Sequence, residues 1–286
     1  MYDFYAIMKS EIVLNKFEIN DLLLVEYKCP LKEEKVKIWS QYDYLVYVLS
    51  GEKTWITQEG SWTVKKGEAL YVKKGASIIK QNFDEEFCNL GFFVSDDLIR
   101  SGLKEVVKQT PIQNVEGADS FVINKVKINN QLRSFFQSVL GYFDNESKPL
   151  ESILELKAKE LLLNIINSNQ NIEIASYLKN TTLNELPSLP NIMEANFSYN
   201  LNIDQFATLC NRSKSSFKRD FKNHYNCSPG KWILERRLSK AARLLQLDLD
   251  NVSQVAYDCG FESTAHFSRT FKKKYGIPPS SYKNSH

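Results

Sequence analysis

The sequence predicts an α+β chain in two parts. A β-rich N-terminal domain with added helices precedes an all-α C-terminal domain of two helix-turn-helix units joined by a long helix. Three observations predict this. Short runs rich in Val, Ile, Tyr, Phe and Trp fill residues 20 to about 95, and Gly51, Gly60, Gly67 and Gly75 punctuate them at turn spacing. Helical periodicity then takes over, most strongly across Leu150–Asn167. Finally, the last third of the chain states one pattern twice. Ala207 and Cys210 recur as Ala256 and Cys259 at an offset of 49, and Phe217, Phe221, Tyr225, Pro229 and Trp232 recur as Phe267, Phe271, Tyr275, Pro279 and Tyr282 at an offset of 50.

In chain order, the segment MYDFYAIMKSEIVLNKF has no signal-peptide pattern, and no apolar stretch reaches membrane-span length. A cytoplasmic protein with no membrane partner is therefore expected. Strands are predicted at Leu22–Tyr27, Tyr44–Leu49, Thr54–Gln58, Trp62–Val64, Leu70–Val72 and Asn89–Val94, a rhythm that suits a small barrel or sandwich. Helices are predicted at Ser95–Lys108, Asn129–Phe143 and Leu150–Asn167. In the last of these, Leu150, Leu154, Leu161 and Ile165 form a stripe. That stripe either pairs with a second copy, making a homodimer, or covers the chain's own barrel. Asn180–Pro190 has linker composition. The expected domains are thus residues 1–170 for sensing and dimerisation, a linker at 171–190, and residues 191–286.

The total charge of +3 hides an asymmetry. From residue 201 onward there are 15 Lys and Arg against 7 Asp and Glu, a net +8, which leaves −5 on the remainder. A basic C-terminal third on an acidic body points to a polyanion partner for one domain only. The five cysteines, Cys29, Cys88, Cys210, Cys227 and Cys259, include no CxxC pair, which argues for free thiols. Cys210 and Cys259 hold equivalent repeat positions and read as small buried hydrophobes.

Each repeat copy carries its own chemistry. Asn202 with Gln205, and Asn251 with Gln254, have the spacing of capping boxes at the first helix of each unit. Ser213 and Ser263 are candidate caps of the second helix. At 100° per residue, Phe217, Phe221 and Tyr225 share one face, while Ser215, Lys218, Arg219 and Lys222 lie opposite. In the second copy Phe267, Phe271 and Tyr275 form the apolar face, with Ala265, Ser268, Arg269 and Lys272 facing away and His266 on the flank. A helix held from behind by aromatics, with Arg, Lys and small polar residues in front, has the chemistry a major groove requires. Pro229–Leu247 reads as a continuous connecting helix, whose Glu235-Arg236-Arg237 run is either a set of phosphate contacts or a salt-bridged face.

The run NVSQVAYDCGFESTAHFSRTFKKKYGIPPSSYK resembles the signature of the AraC/XylS family of bacterial transcription regulators. The matching residues are Gly260-Phe261, Phe267-Ser268-Arg269, Phe271-Lys272, Pro278-Pro279 and Tyr282, with Ser228-Pro229, Trp232-Ile233 and Arg236 matching in the preceding half. The resemblance spans about residues 190–284 and implies a regulator, by expectation an activator, with double-stranded DNA and RNA polymerase as partners. It implies base contacts from Ser215, Lys218 and Arg219 in the first recognition helix, and from Thr264, Ala265, His266 and Arg269 in the second. Phosphate contacts fall to Lys214, Lys222 and Lys272, with Ser213 and Ser263.

VLSGEKTWITQEGSWTVKKGEALYVKKGAS is similar to the cupin-like barrel that many such regulators carry. The metal-binding pattern of cupins is broken, because Lys73 replaces its Pro and Ile78 its His. The three histidines, His224, His266 and His286, all lie outside this segment, so no metal and no cofactor is expected. Trp39, Tyr42, Tyr44, Tyr47, Trp55, Trp62 and Tyr71 either line a pocket for a small-molecule effector or simply fill the core. The segment also resembles family members controlled by a regulatory protein. Asp84, Glu85 and Glu86, and Asp96 with Asp97, fit helix capping or solvation better than acid–base work. An enzyme, either a cupin isomerase or a DNA-repair protein on this DNA-binding module, would want clustered His or Cys residues that the sequence lacks.

Overall fold

The computed structural model describes residues 1–10, 15–28, 33–82, 86–144, 148–184, 186–247 and 251–284. Two compact units divide the chain, Met1–Pro187 and Ser188–His286.

The first unit opens with β1 (Tyr2–Asp3) and a short helix α1 (Phe4–Lys9) capped by the Asp3 carboxylate. Nine strands follow: β2 (Asn15–Ile19), β3 (Leu22–Lys28), β4 (Lys35–Ser40), β5 (Asp43–Ser50), β6 (Glu52–Ile56), β7 (Ser61–Lys65), β8 (Ala69–Val72), β9 (Gly75–Gln81) and β10 (Cys88–Val94). The segment closes with α2 (Asp96–Gln109), β11 (Ile123–Val126), α3 (Asn130–Phe143), α4 (Glu151–Ile166) and α5 (Ile172–Leu183). All six strands and all three helices predicted from sequence are present. Of the five additional strands, β1 has only two residues, and β2, β4, β9 and β11 carry Lys, Asn or Gly within short runs, which weakens their alternation.

The strands form two sheets, ordered β1-β4-β9-β6-β7 and β11-β8-β5-β10-β3-β2. The α+β class and the two-part order are as expected, while among the described residues the two sheets are not joined by hydrogen bonds into a closed barrel. The edge strand β7 exposes Ser61, Thr63 and Lys65, the polar pattern of a protected edge rather than a closing strand. The six-stranded sheet is covered on both faces, and β10 is buried along its whole length. Leu90, Phe92 and Val94 point to the helices, where Leu24, Leu45, Phe136, Leu161 and Ile165 complete the largest core cluster. The alternate residues face the other sheet, and there Tyr44 stacks against Phe93 at 5.1 Å and accepts a 3.1 Å hydrogen bond from Trp55 Nε1. Tyr44, Trp55 and Tyr71 are each 1% exposed, so these aromatics are mainly core.

Two expectations for this unit need correction. Leu154, Leu161 and Ile165, offered as a dimerisation stripe, are 1%, 2% and 0% exposed and pack into the unit's own core. Only Leu150 of that set is exposed, at the N-cap of α4. Second, residues 172–183 of the expected linker are helix α5. Its Ile174, Ala175, Tyr177 and Leu178 are buried, because four apolar residues within five positions outweigh the polar composition around them. The Tyr177 hydroxyl donates to Asp43 at 2.8 Å, beside Tyr71 at 2.7 Å and the Lys74 amide at 2.8 Å. Burial pushes the Asp43 carboxyl above its ordinary value, and these donors hold the group in place. Of the acidic pairs, Asp96 bonds Lys74 and Asp97 bonds Arg100 in the first turn of α2, which Ser95 caps. Asp84 and Glu85 lie outside the described residues.

The second unit is all helix: α6 (Leu189–Asn196), α7 (Ile203–Leu209), α8 (Lys214–Tyr225), α9 (Pro229–Gln246), α10 (Val252–Asp258), α11 (Thr264–Tyr275) and α12 (Pro279–Asn284). The helix pairs α7–α8 and α10–α11 are the two copies of the repeat. Between them runs α9, which is about 27 Å long at 1.5 Å per residue, with Pro229 in its first turn and Ser228 as its cap.

Candidate nucleic-acid interface

The two copies are built by the same local rules. Asn202 caps α7 in a complete capping box, its side chain accepting from the Gln205 amide while the Gln205 side chain returns to the Asn202 amide. Only half of the second box forms. Asn251 accepts from the Gln254 amide at 2.8 Å, but the Gln254 side chain turns away to Asp258, 2.9 Å distant. Both turns then close alike. The Arg212 amide donates to Ala207 O at 2.9 Å, and the Phe261 amide to Ala256 O at 3.0 Å. This is a Schellman closure, and it requires left-handed backbone at the residue just before. Asn211 supplies it in the first copy (φ 52°) and Gly260 in the second (φ 86°).

Aromatic packing fixes each second helix from behind. Phe206, Phe217, Phe221, Phe267 and Phe271 are all fully buried. Trp232 lies 6.1 Å from Phe221 and 5.1 Å from Tyr225, and its counterpart Tyr282 lies 5.2 Å from Phe271 and 5.4 Å from Tyr275. Cys210 and Cys259 are fully buried beside these rings, and burial pushes the Cys259 thiol up to about 12. Along α9, Trp232 packs on the rings of the first copy, while Leu238, Ala241, Ala242 and Leu245 enter the core of the second.

The opposite faces carry the residues singled out from sequence. Ser213, Lys214, Ser215, Lys218, Arg219 and Lys222 are exposed along the start and outer face of α8. Ser263, Ala265, His266, Arg269 and Lys272 are exposed likewise on α11, with Thr264 half-buried. Ser213 caps α8 through the Ser216 amide and lies 3.2 Å from the Ser215 hydroxyl, and Ser263 caps α11 through the His266 amide. Among the described residues Lys218, Lys222, Arg269 and Lys272 have no ion-pair partner, whereas Lys214 pairs with Asp204 at 2.9 Å and Arg219 with Asp220 at 3.4 Å. The structure thus brings the candidates together on two helix faces and divides them into cations without and with a carboxylate.

On α9 the salt-bridged alternative holds. Arg236 pairs with Glu194 and lies over the Phe197 and Trp232 rings, and Glu235 pairs with Lys274 at 2.6 Å. Arg237 is directed inward, onto backbone carbonyls. No sequence signal separates it from Arg236, because its partners lie in distant turns.

Residues 206–285 match the family described as a helix-turn-helix domain, and residues 43–177 match the ExsA N-terminal regulatory domain. The chain belongs to the AraC/XylS family of bacterial transcription regulators. It is similar to the virulence regulon transcriptional activator VirF of Yersinia enterocolitica, at 25% identity over 91% of this chain and 94% of VirF. The regulator GbdR of Pseudomonas aeruginosa is 34% identical over 36% of this chain and 28% of its own length. The solved structure of apo ToxT from Vibrio cholerae covers 93% of this chain and 97% of its own at 14% identity, with a TM-score of 0.45. As a family member the chain is a DNA-binding regulator of transcription, with its DNA-binding part in the second unit and a regulatory domain in the first. No group of three or more His, Cys, Asp or Glu side chains among the described residues could hold a metal ion, and no described helix is long and apolar enough to cross a membrane.

Proposed function

We propose that this AraC/XylS regulator activates transcription by placing α8 and α11 in two successive major-groove segments on one side of a duplex. The observation that carries this reading is the pair of equivalent, outward-facing basic helices mounted on one connecting helix. One chain then reads a two-part, asymmetric site whose blocks lie about one helical turn (~34 Å) apart. Ser215, Lys218 and Arg219 take bases in one block, and Thr264, Ala265, His266 and Arg269 in the other. Lys214, Lys222 and Lys272, with Ser213 and Ser263, take phosphates. Arg269 is the strongest base reader, because it is exposed and pairs with no carboxylate among the described residues.

The similarity to a transcriptional activator over nearly its full length supports activation, with RNA polymerase as the partner recruited. The first unit receives the control signal. A narrow apolar cavity of about 20 Å³ lies between its two sheets, lined by Phe4, Ile7, Met8, Trp55, Phe87 and Lys53; it has room for no more than a water, so the signal is either a small molecule that opens this space or a regulatory protein. The test is in vitro transcription from a promoter that carries the chain's selected site. Added chain should raise transcript yield, and repression or no effect would contradict activation.

A further inference from the structure

Arg237 leaves the middle of α9 and spends its guanidinium on three backbone carbonyls. Nε donates to Phe197 O at 2.7 Å and Nη2 to Tyr199 O at 2.8 Å, both in the corner between α6 and α7 on which the first helix-turn-helix is built. Nη1 donates to Gly260 O at 2.7 Å, in the turn of the second. One side chain therefore holds three elements, and it sits where α9 passes from the core of the first copy to that of the second.

Three other contacts converge on the same corner. Gly260 is pressed against it so closely that a Cβ would stand 2.5 Å from the Ser198 carbonyl oxygen. Asn200 donates to Glu262, just beyond the second turn. Lys240, one turn along α9 from Arg237, donates to Ser198 Oγ at 3.0 Å. These contacts tie the two copies together in addition to α9, so that a bend or twist of that helix alone does not set the separation of the recognition helices. The guanidinium suits the task because its rigid fork presents donors in several fixed directions, which an ammonium cannot reproduce.

We infer that Arg237 is a positioning residue that fixes the separation of the two recognition helices, so that the protein discriminates operator spacing as well as operator sequence. The inference rests on the reading of α8 and α11 as paired groove binders. It predicts a spacing preference carried by a residue that touches no DNA.

The test is a spacing series. The full wild-type chain first selects its site from a random duplex library. Duplexes are then made with one or two base pairs inserted or removed between the two selected blocks, and affinities are measured for wild type, Arg237→Ala and Arg237→Lys. Wild type should lose about 10-fold or more for a one-base-pair change, which rotates and displaces one block relative to the other. Arg237→Ala should stay within about 3-fold across the series, having lost the preference along with some affinity at the native spacing. A uniformly weaker but equally sharp profile would overturn the positioning role. Where Arg237→Ala fails to fold, judged by its helical circular dichroism, Arg237→Lys carries the test. Flattening in that variant supports the inference, and an unchanged profile overturns it. A wild-type chain that selects no two-block site would instead overturn the paired-helix reading itself, which separates the two failures.

Discussion

At Arg269, exposure and freedom from carboxylates lead to a discrimination test. Arg269→Ala should cost about 1–3 kcal/mol in preference for the selected site over random DNA, read by competition binding. Equal loss on both would place Arg269 on phosphates. Lys272→Ala should instead weaken both kinds of DNA and lower the salt slope by about one. Backbone-strained positions divide in a similar way. Gly276 and Gly260 both have left-handed backbone, but a Cβ at Gly276 meets nothing within 4 Å while one at Gly260 meets the Ser198 carbonyl. Gly276→Ala should therefore cost only about 1–2 kcal/mol, the left-handed penalty alone, and Gly260→Ala markedly more, as read by urea unfolding of the full chain. Comparable losses would contradict the close approach at Gly260. The sequence made the buried Cys210 and Cys259 legible, because a repeat reports equivalence directly. Arg237 was not legible, since its three carbonyl partners stand 23 to 40 residues away and carry no side-chain signature.

Element by element, legibility followed the strength of the period. Helix α4 was readable in extent, because its apolar spacing runs over four turns, but not in what it covers. A stripe of Leu and Ile looks the same whether it meets a second copy or its own sheet, and burial alone decides for the sheet. Leu161→Ala should accordingly destabilise the first unit by about 2–5 kcal/mol, as a cavity in a packed core does. The loss should not depend on protein concentration; a concentration-dependent loss would reinstate a dimer through this stripe. Helix α5 was hidden by the Thr, Asn and Pro residues that follow its apolar core, and it is anchored by a tyrosine whose buried acidic partner lies 134 residues away. Tyr177→Phe should cost about 1–3 kcal/mol, because it removes one of the donors to the buried Asp43, and the midpoint of thermal unfolding would report it.

At the scale of the whole molecule, charge and function separate along the chain. The excess of basic residues lies in the DNA-binding unit, and the acidic excess lies in the regulatory unit, which keeps that surface from competing for phosphate. The repeat makes this division legible in the sequence, since two basic faces in register are hard to explain without a repeating polyanion. The open two-sheet arrangement of the first unit was less legible, because alternating strands look alike in a closed barrel and in a sandwich. If a single chain reads two groove segments in tandem, selection of random duplex DNA by the full chain, followed by sequencing, should yield two enriched, dissimilar blocks with centres about 10–10.5 base pairs apart. A single enriched block, or a palindrome that pairs two identical blocks, would contradict tandem reading.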